Sequence, residues 1–252
     1  MVDVSNYLDA YTMRARLLPG LLAVLPLAVT CYAWNPGNIL DWNALGGIIV
    51  GFGGTIVLAF IARDLGKAAE DRLYAKWGGR PTEVLLCHSS DMDPALRARR
   101  HAALRMFFKD VPVPTVEEEA RDREGAQKRF KTLTQLTISR YREQTDKFPL
   151  VFEENCNYGF RRNMYGLRPI GIAVSLITTV ALGLQLFMKF SSHEPVPVVS
   201  LGMEAVNVIM LLVWLLWTNE SSVRHGANLY AERLFETLDA PGKQTKIVGF
   251  SK

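Results

Sequence analysis

Four apolar blocks decide what this chain can become. Two follow one another between about Leu17 and Ala62, two more between about Pro169 and Trp217, and the charged residues lie almost entirely outside them. A block of about 18–20 residues makes about 27–30 Å of α-helix, the thickness of a bilayer's hydrocarbon core. Backbone amides in lipid must be satisfied within the segment itself, so each block is expected to be a membrane-spanning helix. The overall composition, 49% hydrophobic and 21% charged, therefore averages a lipid-facing population and an aqueous one.

Loop charge sets the orientation. The two short connections hold one basic residue, Lys189, whereas the long segment 63–168 holds 21 Lys or Arg against 16 Asp or Glu. Arg14 and Arg16 precede the first block, and five more basic residues follow the last. The expectation is an all-α membrane protein with four transmembrane helices in two hairpins. A helical cytoplasmic domain is inserted between the hairpins, and both termini are cytoplasmic. The regions are an N-terminal arm (1–16), a first hairpin (17–62), the cytoplasmic domain (63–168), a second hairpin (169–217), and an amphipathic helix and tail (218–252). The arginines before the first block resemble a signal peptide's basic start, but the exit CYAWNPGN offers no small-x-small cleavage site. A signal anchor leading into a hairpin is the reading.

Local signals place elements along the chain. Val4, Tyr7, Leu8 and Tyr11 suggest a short surface helix; Pro19 suits a first turn, and Pro26 should kink the first span. Pro36-Gly37 marks a turn between the interface anchors Trp34 and Trp42. Gly47, Gly51 and Gly54 share one face of the second span, continued by Leu58. Such a stripe lets another helix approach closely, either within the chain or between subunits. That helix is expected to continue to Trp77 and stop at Gly78-Gly79 and Pro81. Thr82–His88 is a short apolar element of unassigned type. Asp93-Pro94 reads as an N-cap with proline at the first helical position, opening a helix through Phe108. Thr115 caps the next helix, with Glu117, Glu118 and Glu119 near its positive end. That helix is expected to run, with a break, to about Thr145, weakened early by Gly125, with Phe130, Leu133, Leu136, Thr137 and Tyr141 inward. Val223, Ala227, Tyr230, Leu234 and Leu238 recur at helical spacing, so the fourth span is expected to run on as an amphipathic helix to about Asp239.

Chemistry-bearing residues are few. Glu204 and Asn207, at i and i+3 in the fourth span, are costly in lipid and should face protein or water, with Gln185 of the third span as a neighbour. They read either as an ion pathway or as a hydrogen-bonded packing contact. Cys87, His88, Asp91, Asp93 and His101 are metal-ligand types in one neighbourhood, but their spacing fits no strong motif, and solvated loop groups are the favoured account. The cysteines Cys31, Cys87 and Cys156 show no paired spacing, so no disulfide or cysteine-zinc site is expected. No phosphate loop, dinucleotide fingerprint or hydrolase motif is present, and no cofactor is expected.

The stretch Phe148–Pro169 leads from the charged segment into the second hairpin. Arg161, Arg162 and Arg168 there admit three readings: anionic lipid headgroups, pairing with Glu153 and Glu154, or a small anionic signal stacked on Tyr158, Phe160 or Tyr165. Charges in the long segment are mixed rather than in runs, which argues against nucleic acid.

The motifs WGGRPTEVLLCHSSDMDP (77–94) and KFPLVFEENCNYGFRRNMYGLRPIG (147–171) resemble a group of uncharacterised bacterial four-span membrane proteins with the same split layout. In layout alone the chain is also similar to membrane effectors of anti-phage defence systems, which oligomerise and perturb the inner membrane. The resemblance implies the bacterial inner membrane, multi-pass, and carries over no catalytic or binding residue. The function expected is a non-enzymatic, homo-oligomeric, channel-like or membrane-perturbing effector controlled by its cytoplasmic domain. The alternatives are a membrane-anchored scaffold or sensor docking a cytoplasmic protein partner, and last an interfacial enzyme using His88, Asp91, Asp93 and His101.

Overall fold

A computed structural model describes residues 10–34, 44–142 and 147–239, with the backbone alone for 44–53 and 55. The expected surface helix before residue 10, the Pro36-Gly37 turn with Trp42, and the basic tail lie outside the described residues. So do the faces of Gly47 and Gly51.

The described residues are helical, with no strand among them. The helices are α1 (Leu18–Trp34), α2 (Ala44–Trp77), α3 (Pro81–Val84), α4 (Pro94–Phe107), α5 (Val116–Arg121), α6 (Arg123–Arg142), α7 (Pro149–Ser191), α8 (Val198–Leu212) and α9 (Glu220–Asp239). A π-helical turn, Thr12–Leu17, runs into α1, and another, Val213–Trp217, ends α8. Among the described residues three helical segments are long and apolar enough to cross a membrane: Thr12–Trp34, Pro149–Ser191 and Val198–Trp217.

The chain forms two compact units. Unit 1 takes Met1–Trp77 with Asn155–Gly226, and unit 2 takes Gly78–Glu154 with Ala227–Lys252. These divisions follow packing, so they fall at Trp77, Glu154 and Gly226 rather than at the charge-to-apolar transitions near residues 63, 168 and 217. Two of them lie inside α7 and α9.

Unit 1 is a bundle in which α1 packs on α2 and α8. Its core is Ala23, Ala62, Met164, Leu167, Met210 and Trp214. Small residues set the spacing. A Cβ at Gly166 would lie 2.5 Å from the Gly66 backbone nitrogen, and one at Gly171 would lie 2.3 Å from the Trp214 ring. By contrast Gly54, the described member of the expected glycine stripe, has open space beside it. The Phe148–Pro169 stretch and the third apolar block form one helix, α7, which contains Pro169 without ending there. Its 43 residues make about 65 Å of helix.

The expectation that the fourth span runs straight on into the amphipathic helix is corrected by the backbone. Thr218 leaves helical geometry (φ −82°, ψ 84°), and the Asn219 side chain accepts a hydrogen bond from the Ser222 amide at 2.9 Å. Asn219 thus starts α9 afresh as its N-cap, with Glu220 in the first turn.

Unit 2 is built on the caps. Asp93 accepts from the Leu96 amide at 2.9 Å, with Pro94 at the first helical position. Thr115 and Glu118 make a reciprocal capping box. The break expected in the helix after Thr115 falls at Asp122 (φ −139°, ψ 82°), whose carboxylate accepts from the Gly125 amide at 2.9 Å and opens α6. The core gathers Leu86, Leu104, Phe130, Leu133 and Phe235, and a neighbouring cluster gathers Tyr141, Val151 and Leu234. Arg140 lies over the Phe107 ring at 3.9 Å, a cation–π contact that seals the core's edge.

Candidate functional site

The most concentrated chemistry in unit 1 lies where α2 crosses α7. Ala62 and Ala69 on α2 are buried with Leu73, and together with Gly66 they follow helical spacing. This narrow face lets α7 approach closely. On the same stretch Glu70 is 4% exposed, and Arg162 of α7 is also 4% exposed. Their charged groups meet, Arg162 Nη1 to Glu70 Oε1, at 3.5 Å.

The carboxylate is crowded with donors. Tyr158 Oη lies 2.6 Å and Tyr74 Oη 2.7 Å from Glu70 Oε1, and the two hydroxyls lie 2.7 Å apart. Three oxygens at mutual hydrogen-bonding distance share two hydroxyl protons, so two of these three contacts are hydrogen bonds at any instant. Lys67, one turn earlier on α2, pairs with Glu70 Oε2. Burial alone would raise the Glu70 carboxyl, but the Arg162 guanidinium and the Lys67, Tyr158 and Tyr74 donors outweigh it and hold it at about 2. Such a group stays ionised at neutral pH and is poorly matched to proton transfer. Its chemistry is to hold two helices together.

The network extends to the N-terminal segment. Arg162 Nε donates to Asn163 Oδ1 at 3.1 Å, and Asn163 Nδ2 donates to the Ala15 carbonyl at 2.6 Å. A Cβ at Gly66 would lie 2.0 Å from that Asn163 oxygen, and one at Gly159 would lie 2.8 Å from Ala15 Cβ. One buried polar chain therefore ties the start of α1, α2 and α7.

The three arginines singled out in the sequence have three different surroundings. Arg162 meets a carboxylate, and that carboxylate is Glu70. Arg161 donates to Ser222 Oγ at 2.8 Å and lies over the Trp217 ring at 5.6 Å. Arg168 donates through Nε to the Trp214 carbonyl and through Nη2 to the Leu215 carbonyl, both at 3.2 Å. These are among the last carbonyls of α8 and its π turn, which the helix cannot satisfy itself, so Arg168 acts as a C-terminal cap.

In the apolar part of the bundle, Asn207 is fully buried. It donates to Thr30 Oγ1 of α1 at 2.8 Å and reaches Glu204 Oε2 at 3.4 Å. Its own Oδ1 has no partner among the described residues. Gly183 of α7 is the neighbour of Glu204, its Cβ position 3.4 Å from Oε1, and Gln185 is half-buried nearby in sequence.

In unit 2 the residues of metal-ligand type turn to other work. His88 Nε2 meets the Pro114 carbonyl at 2.9 Å, His101 Nε2 meets the Leu86 carbonyl at 2.8 Å, and the two rings stack edge to face at 4.9 Å. Asp93 caps α4. Among the described residues no three His, Cys, Asp or Glu side chains converge as a metal site would require. Burial lowers His101 to about 4 and raises the Cys87 thiol to about 11, so neither is primed for acid–base or nucleophilic work at neutral pH.

Sequence reasoning missed Glu70. It sits in KAAEDRLY, which reads as an ordinary solvated charge pattern. The available signal was the small-residue face, Ala62, Gly66 and Ala69, which turns the neighbouring Glu70 toward a packed helix. Compared with protein-family models, curated proteins and solved structures, the chain shows no match to any of them.

Proposed function

We propose that this chain is a four-span membrane protein in which α2 supplies the second span beside the three apolar segments above, with both termini and the 63–168 segment on the cytoplasmic side. It acts as a non-enzymatic, homo-oligomeric, channel-like or membrane-perturbing effector. The Glu70–Arg162 pair is a latch that fixes α2 against α7 just before the third apolar block. A signal received by the cytoplasmic segment reaches the spans through the chain at Trp77–Gly78 and along α7 and α9.

The observation that carries this reading is the latch. It is a fully satisfied charged cluster with several hydrogen bonds, aimed at holding helices rather than at a reacting atom. The surfaces of the three apolar segments supply the oligomer. Only 22% to 33% of their most apolar windows is buried inside one chain, and large side chains such as Ile177, Phe187 and Leu216 are exposed. Lipid or further copies must cover that surface, and a path through the membrane needs more helices than one chain supplies.

The reading is tested by native mass spectrometry of the full chain released from lipid nanodiscs. A single oligomeric species larger than a monomer is expected. A strictly monomeric protein across lipid compositions would overturn the oligomeric effector.

A further inference from the structure

Beside the latch, unit 1 holds an open cavity of about 520 Å³. Its lining combines the apolar Leu73, Pro169 and Ile172 with the charged Arg72, Lys76, Arg168 and Glu220. The one carboxylate is already neutralised, because Glu220 accepts from Lys76 Nζ at 2.6 Å and from Trp77 Nε1 at 2.9 Å. Arg72 donates from Nε to the Ala68 carbonyl at 3.2 Å, which leaves its terminal nitrogens directed elsewhere. Arg168 spends Nε and Nη2 on carbonyls and keeps Nη1. Three cationic side chains against one carboxylate leave the lining a surplus of positive charge, and guanidinium groups suit a phosphate.

The cavity's place in the chain selects the kind of phosphate. Pro169 opens the third apolar block, and Ile172 lies one turn inside it, so the lining brings cationic side chains together with the start of an apolar block. We propose that it binds the phosphate of an anionic phospholipid, with the headgroup on Arg72, Lys76 and Arg168 and an acyl chain leaving over Pro169 and Ile172. This assignment rests on the reading that Pro169 begins a span. A headgroup seated there would bridge α2 and α7 on the flank of the latch, making the lipid a ligand of that helix pair.

The test is native mass spectrometry of the full chain purified in an equal mixture of phosphatidylglycerol and phosphatidylcholine. The wild type is expected to retain phosphatidylglycerol in preference. Arg72→Gln and Lys76→Gln should each reduce that preference about fivefold, the worth of one interfacial cation. Both residues lie on the exposed side of α2, and retention of phosphatidylcholine by the same samples reports that the protein is still embedded. Equal retention of the two lipids by wild type, or an unchanged preference in both variants, would overturn the proposal. Displacement of the lipid by inorganic phosphate, but not by chloride at the same ionic strength, would assign the site to a soluble phosphate ester and overturn the lipid assignment.

Discussion

Glu70 and Arg162, 92 residues apart in the chain, meet at 3.5 Å with 5% of each side chain exposed. Removing one member leaves the other charge buried without its partner. Glu70→Gln is expected to cost about 3–5 kcal/mol, whereas replacing both residues by apolar ones of similar size should cost much less. Chemical unfolding in detergent of the single and double variants measures both. Equal losses in the two would mean that the charges do not interact.

The same pair gives unit 1 a pH dependence. The Glu70 carboxyl is lower in the folded protein, at about 2, than its ordinary value of 4.5. Its stabilising effect is therefore complete above about 4.5 and is lost as pH falls toward 2. Melting curves of the wild type should shift down across that window more than those of Glu70→Gln. Parallel curves would remove Glu70 as the titrating group.

His101 makes unit 2 sensitive in a milder range. Burial lowers its imidazole from 6.5 to about 4, so the unfolded chain binds a proton that the folded one does not. The associated stability is complete above about 6.5 and declines as pH falls to 4. Protection factors for hydrogen exchange in α4 and α6, corrected for the intrinsic pH dependence, should fall over that interval in the wild type. In His101→Gln, which retains a donor for the Leu86 carbonyl, the pH effect should vanish.

The helix crossing depends on glycine at defined places. Gly166→Val pushes a side chain into the Leu65–Gly66 backbone, where even a Cβ falls within 2.5 Å, and should destabilise by about 1–3 kcal/mol or more. Gly54→Ala meets open space and should be neutral or stabilising by up to about 1 kcal/mol. Thermal unfolding of the two variants side by side checks the contrast.

In the apolar bundle, Asn207 and Thr30 share a hydrogen bond between α8 and α1. A double-mutant cycle with Thr30→Val and Asn207→Leu should give a coupling of about 0.6 kcal/mol, the usual size inside membranes. A coupling indistinguishable from zero would make the contact incidental.

Much of unit 2 could be read from local chemistry. Asp93-Pro94 and Thr115 act within a few residues of themselves, and the inward set Phe130, Leu133, Thr137 and Tyr141 follows from helical spacing alone. The missed break between α8 and α9 also had a local sign, since Asn219 followed by Glu220 is a helix start. Glu70 is another matter. The small face of Ala62, Gly66 and Ala69 is the one local sign that separates it from the solvated Asp71, and its burial is completed by a helix that arrives about 90 residues later. Arg161 and Arg162 are likewise equivalent in sequence and are separated only by the direction in which α7 turns each one.

The central claim is that the Glu70–Arg162 latch governs the membrane helices, and ion flux from liposomes containing the purified full chain tests it most directly. Vesicles with wild-type protein should hold their ion gradient in the absence of a signal, and vesicles with Glu70→Gln at matched incorporation and oligomeric state should leak. Equal tightness of the two, with the variant folded and inserted, would contradict the account.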